Sequence, residues 1–391
     1  MPVKTIWLKK GKEASLQRYH RWVFSGAIHH ADAGIAEGDL VEVKSKEGNF
    51  LGLGYFSNGS ISVKILDFRP AEINPGWFET KIKEAVSLRE SAGLWNNPDT
   101  NCFRLIHAEG DGIPGLIADY YDGHIVLQVH SLGIYRFREM IAGAFRAIIP
   151  DVKTIFLKLP DKSAGFNAGQ TREWLFGDST SAEVKENGIR FTADWEKGQK
   201  TGFFLDQREN RKLLGRYGAG KKVLNTFCYT GGFSLYALQN GAASVDSVDY
   251  SQWAIAQAKE NISLNSFTPP HEEICGDALK YLSDMGQDYD LIVLDPPAFA
   301  KSVSSRHNAI QAYKRINQMA IKKIRPGGIL FTFSCSQVVD EHMFSKAILS
   351  AAIEVGREVK ILHSLSQPAD HPVSIFHTES GYLKGLVLYI Q

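Results

Sequence analysis

The chain has few cysteines, no long apolar run and no excess of charge of one sign. Its 391 residues include four cysteines, none in a Cys-x-x-Cys pair, so a disulfide-stapled scaffold or a thiolate zinc site is not expected. Lys and Arg total 44 against 43 for Asp and Glu, which excludes a globally basic nucleic-acid coat but not a local basic patch. No apolar stretch reaches the roughly 18 residues of a membrane span, and no apolar signal segment follows the start. We therefore expect a cytoplasmic protein with no membrane contact.

The cysteines of such a protein are expected to be reduced thiols. Cys102, Cys228 and Cys275 are predicted to be small buried apolar residues, whereas Cys335 has a separate interpretation given below. No group of His, Cys, Asp and Glu has the spacing of metal ligands, so the sequence predicts no metal site.

Length and pattern predict three domains, without internal repeats or low-complexity tracts. Residues 1–72 are predicted to form a small β-barrel because short strands alternate with glycine-containing and polar turns. The predicted barrel strands are Thr5–Leu8, Leu40–Lys44, Leu51–Phe56 and Ile61–Leu66. Residues 73–180 are predicted to form a middle α+β domain, and residues 181–391 a third domain.

A mixture of basic and aromatic residues occurs early in the chain. These residues are Lys9, Lys10, Lys12, Arg18, Tyr19, His20, Arg21, Trp22 and Phe24. Base stacking combined with phosphate neutralisation requires such a mixture, although a solvated charged surface explains the basic residues equally well.

The middle domain is expected to contain a helix after Pro75 and a second helix over about 134–148. Its predicted strands are Phe103–His107, Gly115–Tyr120, Ile125–Val129 and Thr154–Leu159. Residues 161–177 are expected to be a loop, and Asn187-Gly188 between two apolar runs predicts a β-hairpin.

From about residue 220 strands alternate with helices, which predicts a mostly parallel sheet covered by helices on both faces. The predicted strands are Val223–Phe227, Val245–Asp249, Glu273–Cys275, Leu291–Asp295, Ile329–Ser334, Val359–Leu365 and Leu383–Ile390. Sheets of this kind bind ligands beyond the carboxyl ends of their strands, where the strand order reverses.

Several polar residues follow these strand ends. The first strand leads into a turn with Gly231-Gly232, which lets the backbone approach a ligand but is not a GxGxxG phosphate motif. Asp249, at the end of the second strand, is suited to accept hydrogen bonds from ribose hydroxyls or to cap the next helix. Asp277, which follows the third strand, is suited to accept a hydrogen bond from the exocyclic amine of adenine or to cap the next helix.

The fourth strand ends in Asp295-Pro296-Pro297-Ala298-Phe299, the sharpest of these signals. The two prolines stiffen the backbone and offer no amide donor that would compete for the carboxylate. A rigid acid at this position is suited to bind the flat hydrogen-bonding edge of a nucleobase. The alternative is a purely structural role, in which the prolines only terminate the strand.

This set of acids resembles class I S-adenosylmethionine-dependent methyltransferases. Three stretches narrow the resemblance to the bacterial 23S rRNA cytosine-C5 methyltransferase family with an N-terminal PUA domain: residues 200–208, residues 109–119, and an ending made of 370–372 and 381–385. The resemblance implies a PUA RNA-binding barrel, a middle α+β domain and a seven-stranded Rossmann-like methyltransferase domain. It implies S-adenosylmethionine as cofactor, held by Phe204, Gln207, Asn225, Phe227, Tyr229, Gly231, Asp249, Asp277 and Asp295. It also implies 23S rRNA, in a single-stranded or unfolded region, as partner, and leaves a homodimer open.

Cys335 ends the fifth strand, next to the Asp295 strand in the family topology. C5 of cytosine is a poor nucleophile, and a thiolate that adds to C6 moves electron density onto C5 so that it accepts a methyl group. Cys335 is therefore predicted to be the nucleophile, and Asp295 to hold N3 and N4 of the base. A buried strand cysteine is the alternative.

The chain departs from the two-cysteine RNA enzymes, because Ala298 and Phe299 follow Pro297 where those enzymes carry a second cysteine. An acid-Pro-Pro-aromatic loop also occurs in enzymes that methylate a purine nitrogen without a cysteine, which is the main rival. Four residues are predicted to bind substrate: Phe299, Lys301, Arg306 and His371. The alternative is that they serve only as surface or structural residues.

Two further interpretations belong to other classes. A nicotinamide-dependent oxidoreductase is disfavoured by the absence of GxGxxG. A non-catalytic RNA-binding assembly factor would bind RNA without taking up a cofactor.

Overall fold

The computed structural model describes residues 3–159 and 172–391, which form two compact units. The N-terminal unit comprises Met1–Val184, Ala193–Phe203 and Ala369–Ser380. The C-terminal unit comprises Lys185–Thr192, Phe204–Pro368 and Gly381–Gln391. The division into domains at 72 and 180 stays a prediction.

The chain begins with a six-stranded sheet in the order β2-β6-β5-β4-β1-β3. Its elements are β1 (Lys4–Leu8), helix α1 (Ala14–Gln17), β2 (Trp22–Phe24), β3 (Ile28–Ala31), β4 (Leu40–Lys44), β5 (Phe50–Phe56) and β6 (Ile61–Asp67). Four of these strands match the predicted ones. Alternation explains the match, since Val41 and Val43 of β4 are buried whereas Leu40, Glu42 and Lys44 are not. The short strands β2 and β3 were not predicted, because aromatic and histidine residues interrupt their alternation.

A second, five-stranded sheet has the order β11-β10-β9-β8-β7. Its elements are α2 (Pro75–Ser91), β7 (Cys102–His107), β8 (Leu116–Tyr121), β9 (His124–Val129), α3 (Leu132–Tyr135), α4 (Arg138–Ile148), β10 (Thr154–Lys158) and β11 (Arg172–Phe176). The prediction of one helix over 134–148 is wrong, because two helices, α3 and α4, occupy this stretch. Helix α3 ends where the amides of Arg136 and Phe137 donate hydrogen bonds to carbonyls one turn back.

The loop prediction is also wrong over Arg172–Phe176, which pairs with β10 as an edge strand. Residues 161–171 of that predicted loop lie outside the described residues. An edge strand is paired on one side only, so its sequence does not need the continuous apolar run that marks an inner strand.

The two N-terminal sheets share one apolar core. Leu53 and Tyr55 of β5 belong to the same buried cluster as Phe103 and Phe145. The Tyr55 hydroxyl donates a hydrogen bond to the Pro114 carbonyl at 2.9 Å. This common core explains why the six-stranded and five-stranded sheets belong to one compact unit.

The predicted hairpin is present as β12 (Ser181–Glu186) and β13 (Ile189–Asp194). Its two turn residues have the positive φ values of a two-residue hairpin turn, 50° for Asn187 and 80° for Gly188.

A seven-stranded sheet follows, in the order β16-β15-β14-β17-β18-β20-β19. Its strands are β14 (Lys222–Thr226), β15 (Ser244–Asp249), β16 (His271–Cys275), β17 (Leu291–Leu294), β18 (Gly328–Ser334), β19 (Val359–Ser366) and β20 (Lys384–Ile390). Its helices are α5 (Arg208–Gly218), α6 (Gly232–Gln239), α7 (Gln252–Asn265), α8 (Ala278–Asp284), α9 (Arg306–Lys323) and α10 (Glu341–Val355). Only β20 runs against the other strands. The predicted mostly parallel sheet is confirmed.

Both faces of this sheet are buried. Ile292 and Leu294 of β17 belong to one apolar cluster, and Leu291 and Val293 belong to another on the opposite face. The chain order reverses at β14, which lies between β15 and β17. The crevice for a ligand is therefore expected at the carboxyl end of β14. Across residues 3–159 and 172–391, no helix is long and apolar enough to cross a membrane.

Candidate active site at the carboxyl edge of the seven-stranded sheet

The loop after β14 is a tight turn fixed by the neighbouring strand. Phe227 and Tyr229 have φ values of 55° and 48°, and Gly231 has 83°. The Tyr229 amide donates a hydrogen bond of 2.9 Å to Asp249 Oδ2 at the end of β15. A Cβ on Gly231 would lie 3.1 Å from the Ala258 Cβ, so glycine also allows close packing on α7.

Asp249 and Asp277 both bind backbone amides. Asp249 Oδ1 accepts from the Ser251 amide at 2.9 Å, but Ser251 itself is the N-cap of α7. Asp277 is the N-cap of α8 and accepts from the two amides that follow Ala278, at 2.7 and 3.1 Å. The capping alternative therefore holds for Asp277. A carboxylate has about four acceptor sites, so these bonds leave room for a ligand.

Two buried polar atoms near this turn have no partner among the described residues. Asn225 donates from Nδ2 to Ser234 Oγ at 2.9 Å, while its Oδ1 is buried and accepts nothing. Thr230 Oγ1 is likewise buried without a hydrogen bond. Buried polar atoms are normally satisfied, so this turn fits a polar ligand such as the nucleoside part of S-adenosylmethionine.

Phe204 and Gln207 precede α5 on the chain. The Phe204 ring meets the Tyr229 ring edge to face, with centroids 4.9 Å apart. Gln207 is buried and its Oε1 accepts from Asn210 at 2.7 Å. Arg211 donates to the Phe204 carbonyl at 2.9 Å and holds Glu186 through two bonds of 2.8 and 2.7 Å. Sequence reasoning missed this buried pair, since its partners are 25 positions apart and carry no motif.

Asp295 and Cys335 follow two neighbouring parallel strands. Leu294 of β17 is in register with Thr332 of β18, and Asp295 and Cys335 are the residues that come directly after these strands. Both side chains are partly exposed. The predicted adjacency of the two strands is confirmed, while the roles of the two residues stay predictions.

Lys384 is a residue near Cys335 that sequence reasoning did not single out. The first residue of β20, it pairs in register with Ser334 and donates from Nζ to the carbonyls of Ser336 at 2.7 Å and Tyr382 at 2.8 Å. Burial lowers the pKa of Lys384, and the charges of Cys335 and Asp340 oppose that shift. An ammonium group so placed favours the thiolate form of a cysteine.

A buried tyrosine ties the two loops together. The hydroxyls of Tyr313 and Ser336 lie 2.9 Å apart, and the Ala300 amide donates to Ser336 Oγ at 3.4 Å. The Phe299 ring lies 4.8 Å from the Tyr313 ring, partly buried against the core. Burial raises the pKa of Tyr313, which therefore remains a neutral hydrogen-bonding group. This network holds the Asp295 and Cys335 loops in one arrangement.

The remaining cysteines differ in exposure. Cys102 and Cys228 are buried as predicted, but the prediction for Cys275 is wrong, because it is exposed. Cys275 ends β16, which is an edge strand and therefore lacks cover on one side. Burial and the charge of Asp249 raise the pKa of Cys228 well above its usual value.

The other predicted substrate residues have diverse surroundings. Lys301 is exposed, and Arg306 begins α9 with a buried Nε that has no partner among the described residues. His371 belongs to the N-terminal unit, where it is 1% exposed. Its Nδ1 lies 3.2 Å from Asp370 Oδ1, and its ring lies 5.2 Å from that of His107. The substrate roles of these residues stay predictions.

The early basic and aromatic cluster is partly used inside the N-terminal unit. Arg21 donates to two carbonyls of β6, each at 3.0 Å, and the Trp22 indole donates to Glu109 at 2.8 Å. Tyr19 and Phe24 remain 53% and 47% exposed. The exposed aromatic residues, rather than Arg21 or Trp22, are thus available for stacking.

Family models match two parts of the chain. Residues 162–377 match an S-adenosylmethionine-dependent methyltransferase model, and residues 6–68 match a PUA-like domain. Among the curated relatives, "Ribosomal RNA large subunit methyltransferase I" of Shewanella frigidimarina is 39% identical over 98% of both chains. The protein of the same name from Aeromonas salmonicida is 37% identical over the same shares.

Solved structures share the fold. The structure named "A putative sam-dependent methyltransferase from Streptococcus mutans" has a TM-score of 0.85 at 23% identity and covers 98% of this chain and 99% of its own. A methyltransferase complexed with SAH has the same TM-score and identity and covers both chains completely. These likenesses support the fold around the S-adenosylmethionine crevice. The chain belongs to the S-adenosylmethionine-dependent methyltransferases, in the family of the ribosomal RNA large subunit methyltransferase I proteins, and it carries an N-terminal PUA-like domain.

Proposed function

We propose that the chain transfers a methyl group from S-adenosylmethionine to C5 of a cytosine in 23S ribosomal RNA. The relatives named for the large ribosomal subunit support the substrate class. One observation supports the covalent route: a cysteine and an acid follow neighbouring parallel strands at the edge where such sheets bind ligands.

Cys335 acts as the nucleophile. Its thiolate adds to C6 of the cytosine, and the C5–C6 double bond shifts its electron pair onto C5. When bound, S-adenosylmethionine supplies an electrophilic methyl group on a sulfonium. Once C5 carries the methyl group, it loses its proton to water or a base, and the returning electron pair expels the Cys335 thiolate. The cysteine is unchanged after one cycle.

Asp295 positions the base. Its carboxylate accepts a hydrogen bond from the N4 amine and, when protonated, donates one to N3. That second contact withdraws charge from the ring as the thiolate adds. The prolines at 296 and 297 leave this acid on a stiff backbone, so little reorganisation is needed when cytosine binds.

Lys384 and Tyr313 position the nucleophile. Lys384 supplies positive charge beside Cys335 and fixes the Ser336 carbonyl. Tyr313 fixes the hydroxyl of the same residue, Ser336. Neither side chain needs to exchange a proton with substrate in this proposal.

The chain's own residues also fit the cofactor. Asn225 Oδ1 and Thr230 Oγ1 are buried acceptors beside the β14 turn, and the carboxylate of Asp249 suits ribose hydroxyls. Phe204 and Tyr229 offer aromatic surface next to this turn. Phe227, Gly231, Gln207 and Asp277 complete the proposed contacts.

The PUA-like domain offers the RNA contact outside the active site. Tyr19 and Phe24 present exposed rings on which unpaired bases stack. We propose that Phe299, Lys301 and Arg306 contact the RNA, that the target lies in a single-stranded or unfolded region, and that the enzyme works in the cytoplasm. A substrate role of His371, which is 1% exposed, stays a prediction. A homodimer stays a prediction.

Nucleoside mass spectrometry tests the proposed product. The protein is incubated with 23S rRNA lacking the modification and with methyl-labelled S-adenosylmethionine, and the RNA is digested to nucleosides. We expect labelled 5-methylcytidine with the wild type and none with Cys335→Ala. Labelled methyladenosine or methylguanosine, formed equally by the mutant, would instead establish the purine-nitrogen rival.

A further inference from the structure

Three side chains that the methyl-transfer proposal does not use converge in the N-terminal unit. His20, His377 and Glu379 place their ligand atoms within 4.8 Å of one another. His20 Nε2 lies 3.0 Å from Glu379 Oε1, although the two residues are 359 positions apart. Spacing along the chain therefore could not show this cluster.

His377 is the residue that calls for an explanation. It is 1% exposed, and neither ring nitrogen has a hydrogen bond with any residue that the structure describes. Its Nδ1 lies 3.8 Å from Glu379 Oε2, beyond hydrogen-bond distance. A simple His20–Glu379 ion pair explains two of the three residues but not this buried ring.

The distances fit a small tetrahedral ion. Zinc binds imidazole nitrogen and carboxylate oxygen at about 2.0–2.1 Å, so two ligand atoms of a tetrahedral site lie roughly 3.3 Å apart. His20 Nε2 lies 3.0 Å from Oε1 of Glu379, and His377 Nδ1 lies 3.8 Å from Oε2 of the same carboxylate. The two imidazoles thus face different oxygens of one carboxylate, and one ligand atom from each of the three residues lies within 4.8 Å of the others.

The groups around the cluster support His20 as a ligand. His20 Nδ1 lies 3.3 Å from the Trp22 amide nitrogen and 3.4 Å from the Trp22 carbonyl oxygen. In one tautomer Nδ1 accepts from the Trp22 amide and the Nε2 proton is donated to Glu379. In the other tautomer Nδ1 carries the proton, donates it to the Trp22 carbonyl and leaves Nε2 for a metal, which is the usual arrangement of a metal-binding histidine.

We propose that His20, His377 and Glu379 form a zinc site in the N-terminal unit. Two imidazoles and one carboxylate suit Zn²⁺ better than Mg²⁺ or Ca²⁺, which prefer oxygen ligands throughout. A water molecule takes the fourth position. The ion would fasten the segment around Glu379 to the segment between α1 and β2, independently of methyl transfer.

Metal titration of the full chain tests the site. The protein is stripped with a chelator, dialysed and titrated with ZnCl2 against a chromogenic chelator. We compare the wild type with H20A, with E379Q, which keeps the shape of the side chain, and with the control H29A, an exposed histidine of β3 in the same unit. We expect one Zn²⁺ per wild-type or H29A chain, and affinity at least about tenfold weaker in H20A and E379Q.

A thermal measurement checks that lost binding is not lost folding. All four proteins should show the same far-ultraviolet circular dichroism, and ZnCl2 should raise the Tm of the wild type and H29A only. The proposal is overturned if the wild type takes up no zinc, or if H20A and E379Q bind it as tightly as H29A does.

Discussion

Two cysteines follow strands of the same parallel sheet and have opposite surroundings. Cys228, after β14, is buried, and the charge of Asp249 adds to burial in raising its pKa well above the usual value. Cys335, after β18, is partly exposed, and the ammonium group of Lys384 interacts with it electrostatically. We therefore expect that a position at the carboxyl edge of the sheet is not sufficient for reactivity, because access and the sign of the nearby charge also affect how readily a thiol ionises.

The same comparison separates two regions of the site. The loop after β14 surrounds its cysteine with backbone turns and acids that suit a nucleoside. Near the loops after β17 and β18, Cys335 is surrounded by a lysine, a tyrosine and two serines, which suit a nucleophile. The following predictions test this division.

Replacing each thiol should have the largest and most unequal effect. Cys335→Ala removes the nucleophile, so we expect methyl transfer to fall by at least about 10³-fold. Cys228→Ala removes one buried sulfur and should cost about 1 kcal/mol of stability, with transfer within a few-fold of wild type. Single-turnover transfer to rRNA measures both, and equal losses would contradict the division.

Alkylation should rank the thiols without any substrate. We expect iodoacetamide to modify Cys335 about 100-fold faster than Cys228, since the latter is buried beside a carboxylate. Exposed Cys275 should react at an intermediate rate typical of a free thiol. Peptide mass spectrometry over time gives the three rates, and faster labelling of Cys228 than of Cys335 would reverse the assignment.

Neutralising Asp249 should weaken cofactor binding and leave the thiol loop intact. Asp249→Asn keeps the shape of the side chain but would weaken the proposed bonds to the ribose, so we expect S-adenosylmethionine affinity to fall about 10–100-fold. The control is Asp284→Asn, the same change at an exposed position at the end of α8. Calorimetry measures both, and unchanged affinity in Asp249→Asn would remove this residue from the cofactor site.

Removing the positive charge beside Cys335 should have a smaller and pH-dependent effect. Lys384→Gln leaves less thiolate at a given pH, so we expect transfer to fall about tenfold at pH 7 and to recover as the pH rises. Lys384→Arg keeps the charge and should stay within a few-fold. A deficit of equal size at every pH would show that Lys384 serves only to anchor the Ser336 and Tyr382 carbonyls.

Much of the C-terminal sheet was predictable because its inner strands are continuous apolar runs. Such runs mark parallel strands buried on both faces, and residues that follow them must share one edge. Asp295 and Cys335 could therefore be placed next to each other before any coordinates. The resemblance to a known family supplied the order of the strands.

The parts that sequence reasoning missed depend on position in the sheet or on distant pairing. The exposure of Cys275 and the strand Arg172–Phe176 both follow from edge positions, which residue pattern alone does not reveal. Lys384 reaches Cys335 only through the pairing of β18 with β20. His20 and Glu379 likewise meet only through the tertiary fold.

The covalent bond itself offers the most direct test of the account. An RNA carrying 5-fluorocytidine at the target position accepts the thiol and the methyl group but has no C5 proton to lose, so the adduct should persist. With S-adenosylmethionine present, we expect intact-mass and peptide mass spectrometry to find this RNA attached to Cys335 in the wild type and in Cys228→Ala. Attachment at Cys228, or methylation of the unsubstituted RNA without any trapped adduct on the fluorinated one, would contradict the proposed mechanism.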